Sequence, residues 1–154
     1  MNSPTKGPPY RVQISIDSDL EYFREVLLGV RRYGFETGRL VFVDRWLQHE
    51  LADLKGITKR DHVDGIVATL FSKKQETALR HTQVPVVNVS NSIRVPRVPV
   101  VTQNDFEVGR IAARHLMNCG CRSFGFVGQT RTSYSDQRYV GFRELLPKKV
   151  SSPN

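Results

Sequence analysis

Four short apolar or alternating runs recur along the chain, RVQISI (11–16), LVFV (40–43), DGIVATL (64–70) and VVNV (86–89), each followed by enough sequence to double back. Between the first three lie stretches with helical periodicity. Strands separated by helices of ten or more residues need crossover connections, and crossovers of that length produce parallel neighbours. The expected class is therefore α/β: an open, mainly parallel sheet flanked by helices. With 39% apolar and 25% charged positions among 154 residues, the chain can bury the core of one ordinary domain.

Residues 1–10, with three prolines and a glycine, read as a flexible leader. Asp17, Ser18 and Asp19 offer N-caps for a helix that runs through Tyr33 and stops at Gly34, with Leu20, Phe23, Leu27, Val30 and Tyr33 on its packing face. A second helix is expected from about Trp46 to Lys55. Ser72 and Gln75 have capping-box spacing for a third, ending near His81. The segment Ser90–Pro99 reads as an irregular connection, Val100 and Val101 as another short strand. A helix over about Asp105–Asn118 presents Val108, Ile111, Ala112, His115 and Leu116 near one face, with Gly120 where it would end. SFGFVG (123–128) is strand-like, Asp136–Leu146 helical, and residues 147–154 have the composition of a frayed tail.

Several chemistries lack their sequence requirements. The first strand leads into DSDLEYF, so no GxGxxG turn cradles a pyrophosphate, and no GxxxxGK[ST] loop occurs. A phosphoacceptor receiver needs an aspartate at the end of the third strand, where Thr69 and Leu70 stand. A flavodoxin needs a hydroxyl-rich loop where this chain has two carboxylates. His49, His62, His81 and His115 show no metal-ligand spacing, and no GxSxG elbow is present. No nucleophile, base and orienting group can be named together, so no enzyme, cofactor or metal is expected.

Cys119 and Cys121 are too close for a framework disulfide and lack CxxC spacing; they are expected reduced, in a structural or incidental role. The formal charge of +8 is dispersed, with Arg31–Arg32, Lys73–Lys74 and Lys148–Lys149 only as pairs, and reads as solvated surface. Neither a secretory signal nor a long apolar run is visible, so a soluble cytoplasmic protein without membrane contact is expected.

In open α/β sheets ligands bind beyond the carboxyl ends of the strands, at the switch point. The residues there are Asp17, Ser18 and Asp19 after the first strand, Leu70 and Phe71 after the third, and Ser90 and Asn91 after the fourth. Carboxylates accept two sugar hydroxyls and an aromatic face covers a pyranose ring, while helix capping and packing under the next helix are the plainer alternatives. Asn104 and Asp105 have hydroxyl-binding or N-cap duties open to them. Arg138, in DQRYVGF at the opening turn of the last expected helix, is either a directed donor or a surface arginine.

The stretch QNDFEVGRIAARHLMNCGCRSFGFVGQTRTSYSDQRYVGFREL resembles the LacI-type and periplasmic sugar-binding family, with a DNxxxG helix, an HL pair and RxxGF. Here the first two polar residues are reversed as Asn104 and Asp105, the pair is His115–Leu116, and RxxGF is Arg138–Phe142. RVQISIDSDLEYFREVLLGVRRY, DGIVA and QVPVVNVSNS look like the xylose operon regulators, AraC-type activators with a LacI-like sugar domain in front. The resemblance implies a sugar sensor of two lobes, with residues 11–120 as the first, 121–146 as the start of the second, and the rest, with the DNA-binding units, outside this chain. It implies a pentose such as xylose as ligand, Arg138 as a contact, and DNA binding only through other domains; strand edges left bare where the second lobe is missing invite a homodimer. Strand 123–128 is then expected either to join its own chain's sheet or to pair with a second chain. A stand-alone dimerisation or interaction module derived from such a sensor is the alternative.

Overall fold

The computed structural model describes residues 9–16, 19–43 and 62–146. The expected helix near Trp46–Lys55, the carboxylate and hydroxyl of Asp17 and Ser18, most of the leader and the tail lie outside the described residues. The chain divides into two compact units at Val101/Thr102.

The first unit holds β1 (Tyr10–Ser15), α1 (Glu21–Thr37), β2 (Leu40–Val43), β3 (Gly65–Ala68), α2 (Lys73–Arg80) and β4 (Val86–Asn88). The four strands form one sheet in the order β2-β1-β3-β4, and every pair is parallel. β1 and β3 are the inner strands, with Val12 of β1 opposite Phe42 on one side and Gly65 on the other. Chain order therefore reverses between β1 and β3, which is where a crevice opens in such a sheet. Val63, Ile66, Ala68, Leu70, Leu79, Val86 and Ile93 form the buried core. Burying each large member contributes about 1.5–3 kcal/mol.

Helix α1 differs from expectation at both ends. Its N-cap is Leu20, which makes no side-chain cap hydrogen bond. Gly34 does not stop it: that residue is buried in the helix because a Cβ there would meet the Phe42 ring at 2.6–2.8 Å. The helix ends at Gly38, whose φ of 60° suits glycine and whose N–H bonds the Gly34 carbonyl. Phe23 and Gly34 are buried, Leu27 and Val30 half-buried, and Leu20 and Tyr33 exposed, so the packing stripe leans away from the expected one at both ends.

The capping box of α2 forms as its spacing predicts: the Gln75 N–H donates to Ser72 Oγ at 3.3 Å and the Ser72 N–H to Gln75 Oε1 at 3.0 Å. One turn further, Glu76 is buried. It accepts from the Arg97 and Val98 amides and pairs with Lys73 at 3.2 Å. Lys73 Nζ also donates to the Val95 carbonyl. The connection after β4, irregular in sequence, is thus fastened to α2. Val100 makes only a single parallel bridge to Asn88, flanked by bonds from Asn88 N–H to the Pro99 carbonyl and from Val101 N–H to the Asn88 carbonyl, both 2.9 Å. The expected strand there does not develop, since Pro99 has no N–H with which to extend a ladder.

Burial opposes the charge of Glu76, but the two amides and Lys73 outweigh it and hold its carboxyl below the usual glutamate range. A depressed carboxyl stabilises the fold above the unfolded pKa of about 4.3 and loses that contribution as pH falls through the folded value. Urea midpoints measured from pH 7 down to pH 3 are expected to fall in the acid range. The Glu76→Gln variant should start lower at neutral pH and lose part of that acid dependence.

The second unit holds α3 (Asp105–Asn118) and α4 (Ser133–Leu145), which pack on each other through very small residues. Gly109 lies against the Arg138 carbonyl and Gly141 against that of Phe106, so neither position has room for a Cβ. Asp105, Gly109 and Ala113 are buried, whereas Val108, Ile111, Ala112 and His115 are exposed. The apolar spacing had pointed to the wrong stripe because this helix crosses its neighbour backbone to backbone. Arg110 adds an ionic tie, 2.8 Å to Glu107 and 3.4 Å to Glu144 on α4. The α3 terminus is a Schellman turn: Gly120 at φ 80° bonds the Met117 carbonyl, and Cys121 N–H that of Leu116.

Helix α4 starts at Ser133, three residues before the expected Asp136, and buries Ser133 and Ser135 in its first turn. Arg138 consequently sits in the second turn rather than the first. Residues 123–128 are not a strand. Strand character needs a ladder partner, and here Phe124 and Phe126 instead set their rings against Phe142 at 6.4 and 5.7 Å, leaving Val127 fully exposed.

Candidate functional site

In the first unit the ends of β1, β3 and β4 are tied together by backbone and by one side chain. The Thr69 N–H donates to the Ser15 carbonyl and the Val89 N–H to the Ala68 carbonyl, both at 2.9 Å. Asn88 closes β4 and is fully buried. Its Oδ1 accepts from the Leu70 N–H at 3.0 Å and the Ser90 N–H at 2.9 Å, while its Nδ2 donates to the Ser90 carbonyl at 2.8 Å. One amide therefore fixes the loops after both β3 and β4, using three of its four hydrogen-bonding positions. The strand reading had treated Asn88 as part of VVNV; a lone amide inside an otherwise apolar strand was the available sign.

The expected binding residues divide by exposure. Leu70 and Ser90 are buried, and the Ser90 hydroxyl is 2.8 Å from that of Ser92. Asn91 is half-buried, Asp19 is exposed, and Phe71 is 44% exposed, enough to present a ring face. The Phe71 ring meets the buried Phe23 of α1 edge-on at 5.9 Å, and its N–H donates to Gln75 Oε1 at 2.8 Å. So Phe71 is held from two sides yet keeps open surface. The helix-packing reading describes its contact with Phe23.

In the second unit Asn104 is the N-cap of α3, accepting from the Glu107 N–H at 3.2 Å. Asp105 is 1% exposed, and its Oδ1 accepts from Arg138 Nε at 2.8 Å and Gln103 Nε2 at 3.2 Å. The Arg138 guanidinium also lies 5.2 Å from the Tyr134 ring centre. With the Arg138 side chain 35% exposed, the Nε edge is committed to a buried carboxylate while the outer amino groups remain the part suited to external oxygens. Sequence had offered Asp105 and Arg138 as two independent contacts; the structure makes them one pair, and their 33-residue separation hid it.

Among the described residues there is no group of three His, Cys, Asp or Glu side chains that could hold a metal, and no helix long and apolar enough to cross a membrane.

Residues 14–149 match the family described as periplasmic binding proteins and the sugar-binding domain of the LacI family. The xylose operon regulatory protein of Escherichia coli is 24% identical over 149 residues, which is 91% of this chain and 37% of that protein. The chain thus spans well under half the length of this relative. Among solved structures, the transcription regulator CcpA of Lactococcus lactis superposes with a TM-score of 0.70 at 20% identity, over 88% of this chain and 52% of that one. The xylose-binding transcription activator xylR gives 0.68 at 22% identity, over 90% and 35%. At these identities the superpositions establish the fold. The AraC-type label finds no counterpart in the matched family, which is named for LacI.

Proposed function

Given that the chain belongs to the family of periplasmic binding proteins and sugar-binding domains of LacI regulators, we propose that it is the ligand-sensing part of a sugar-responsive transcriptional regulator. A small sugar is the ligand, and a pentose of the xylose type is the first to try, because a regulator named for xylose is among its relatives. In this reading a bound sugar shifts the population of a state competent for DNA, with DNA contacted through other domains. A homodimer is the assembly proposed for it.

The observation that carries the reading is Arg138: its inner edge is anchored on buried Asp105 and its side chain remains partly exposed. An arginine prepared in this way loses little freedom when it meets a hydroxyl-rich ligand. Phe71, Asn91, Asp19 and, outside the described residues, Asp17 and Ser18 are the other proposed contacts. Leu70, Ser90, Asn104 and Asp105 are proposed as the support that holds them, through burial or capping.

Calorimetric titration of the chain with xylose and related pentoses, beside light scattering for mass, tests this. Saturable heat is expected, weakened about tenfold or more by Arg138→Ala, as loss of a hydrogen bond from a charged donor implies. Equal heats for the two proteins would remove Arg138 from the site. Self-association without any sugar response would instead favour the interaction-module alternative.

A further inference from the structure

The two cysteines are free and exposed, and they bracket Gly120 at the end of α3. One turn back along the helix, His115 is exposed as well, and its Nε2 lies 3.7 Å from Cys119 Sγ, within hydrogen-bonding range for sulfur. Structural cysteines are buried and inert; reactive ones are exposed, have a proton acceptor at hand and stand beside a second thiol that can resolve the first adduct. The surroundings are basic, with Arg114 and Arg122 both exposed nearby in sequence on a chain of formal charge +8. The Schellman turn occupies the His115, Leu116 and Met117 carbonyls with the amides of Cys119, Cys121 and Gly120.

We infer that Cys119 is a thiol-modification site for small anionic disulfides of the glutathione type, with His115 as proton acceptor and Cys121 as resolving thiol. In the first step Cys119 loses its proton to His115 Nε2, and the thiolate attacks one sulfur of the small disulfide. The old S–S bond breaks, the departing thiolate takes up a proton, and Cys119 is left as a mixed disulfide. In the second step the Cys121 thiolate attacks the Cys119 sulfur, releases the other small thiol and closes a Cys119–Cys121 bond. The small disulfide is reduced to two thiols, and the protein dithiol is oxidised by the same two electrons. A ring closed across one intervening residue is short, which makes the bond easily reduced again.

Incubation of the chain with oxidised glutathione, followed by mass spectrometry of the peptides, tests the assignment. Cys119 should be modified about tenfold faster than Cys121, and the two should react alike in denaturant. His115→Ala should remove most of that ratio, and Cys121→Ser should make the mixed disulfide on Cys119 accumulate. Unfolding would also level the ratio, so the His115→Ala ratio is read on protein whose circular dichroism shows the helix content of the unsubstituted chain. Equal rates in the native chain, or a ratio indifferent to His115→Ala, would overturn the proposal for Cys119 and His115; a mixed disulfide equally persistent with and without Cys121 would overturn the resolving step.

Discussion

Replacing Gly109 by alanine is expected to destabilise the helix pair by about 3 kcal/mol, the upper end for overpacking, because the clash is with backbone. The added methyl group would lie against the Arg138 carbonyl, 2.8 Å from the Phe142 nitrogen and 2.9 Å from the Arg138 carbonyl carbon. These are backbone atoms of a helix, so no rotamer change relieves the clash. The helices would have to separate, exposing Ala113 and Phe142, which are now buried. Gly29, in the middle of α1, has nothing within 4 Å of the same hypothetical methyl group. Gly29→Ala should therefore stabilise the chain by about 0.5–1 kcal/mol through helix propensity and a less free unfolded state. Urea titrations of the two variants should move in opposite directions. A neutral Gly109→Ala would mean that the α3–α4 crossing is looser than described.

The second large effect is expected at Asn88. Substitution by leucine keeps the branched shape and the number of side-chain heavy atoms but removes the acceptor shared by the Leu70 and Ser90 amides, and the donor to the Ser90 carbonyl. Two buried N–H groups left without that acceptor cost about 2–4 kcal/mol together. Hydrogen exchange should show the loss at those two amides. The helices α1 and α2 should keep their protection, because the core cluster of Val63, Ile66, Ala68 and Leu79 does not depend on this amide. An unchanged urea midpoint would show that water or another group satisfies these donors equally well.

The elements whose formation depends on near neighbours were legible. β1, β2 and β4 announced themselves by alternation or apolar runs, and the Ser72–Gln75 box and the Gly120 terminus by local chemistry. What depended on distant partners was not. Gly34 reads as a stop in sequence but is a contact surface for Phe42. The packing face of α3 was misplaced because periodicity weighs large apolar residues, whereas on α3 this interface centres on Gly109 and Ala113. SFGFVG has strand composition, yet composition supplies no ladder partner. For the candidate site, the loop ends were foreseeable from topology alone. The division of labour was not: Glu76 fastening the 95–98 connection, Asn88 fastening two loops, and Asp105 gripping Arg138 all arise between residues far apart in sequence.

The close crossing of α3 and α4 also has a mechanical meaning. Where two helices touch through long side chains, rotamers act as a soft layer, and one helix can slide while the other stays. Here Gly109 abuts the Arg138 carbonyl and Gly141 that of Phe106, so that compliant layer is missing. Arg138 is coupled to α3 at its carbonyl by contact and at its Nε by Asp105. A force applied to its guanidinium would then be carried into both helices together, with no layer of long side chains at the glycine contacts to absorb it.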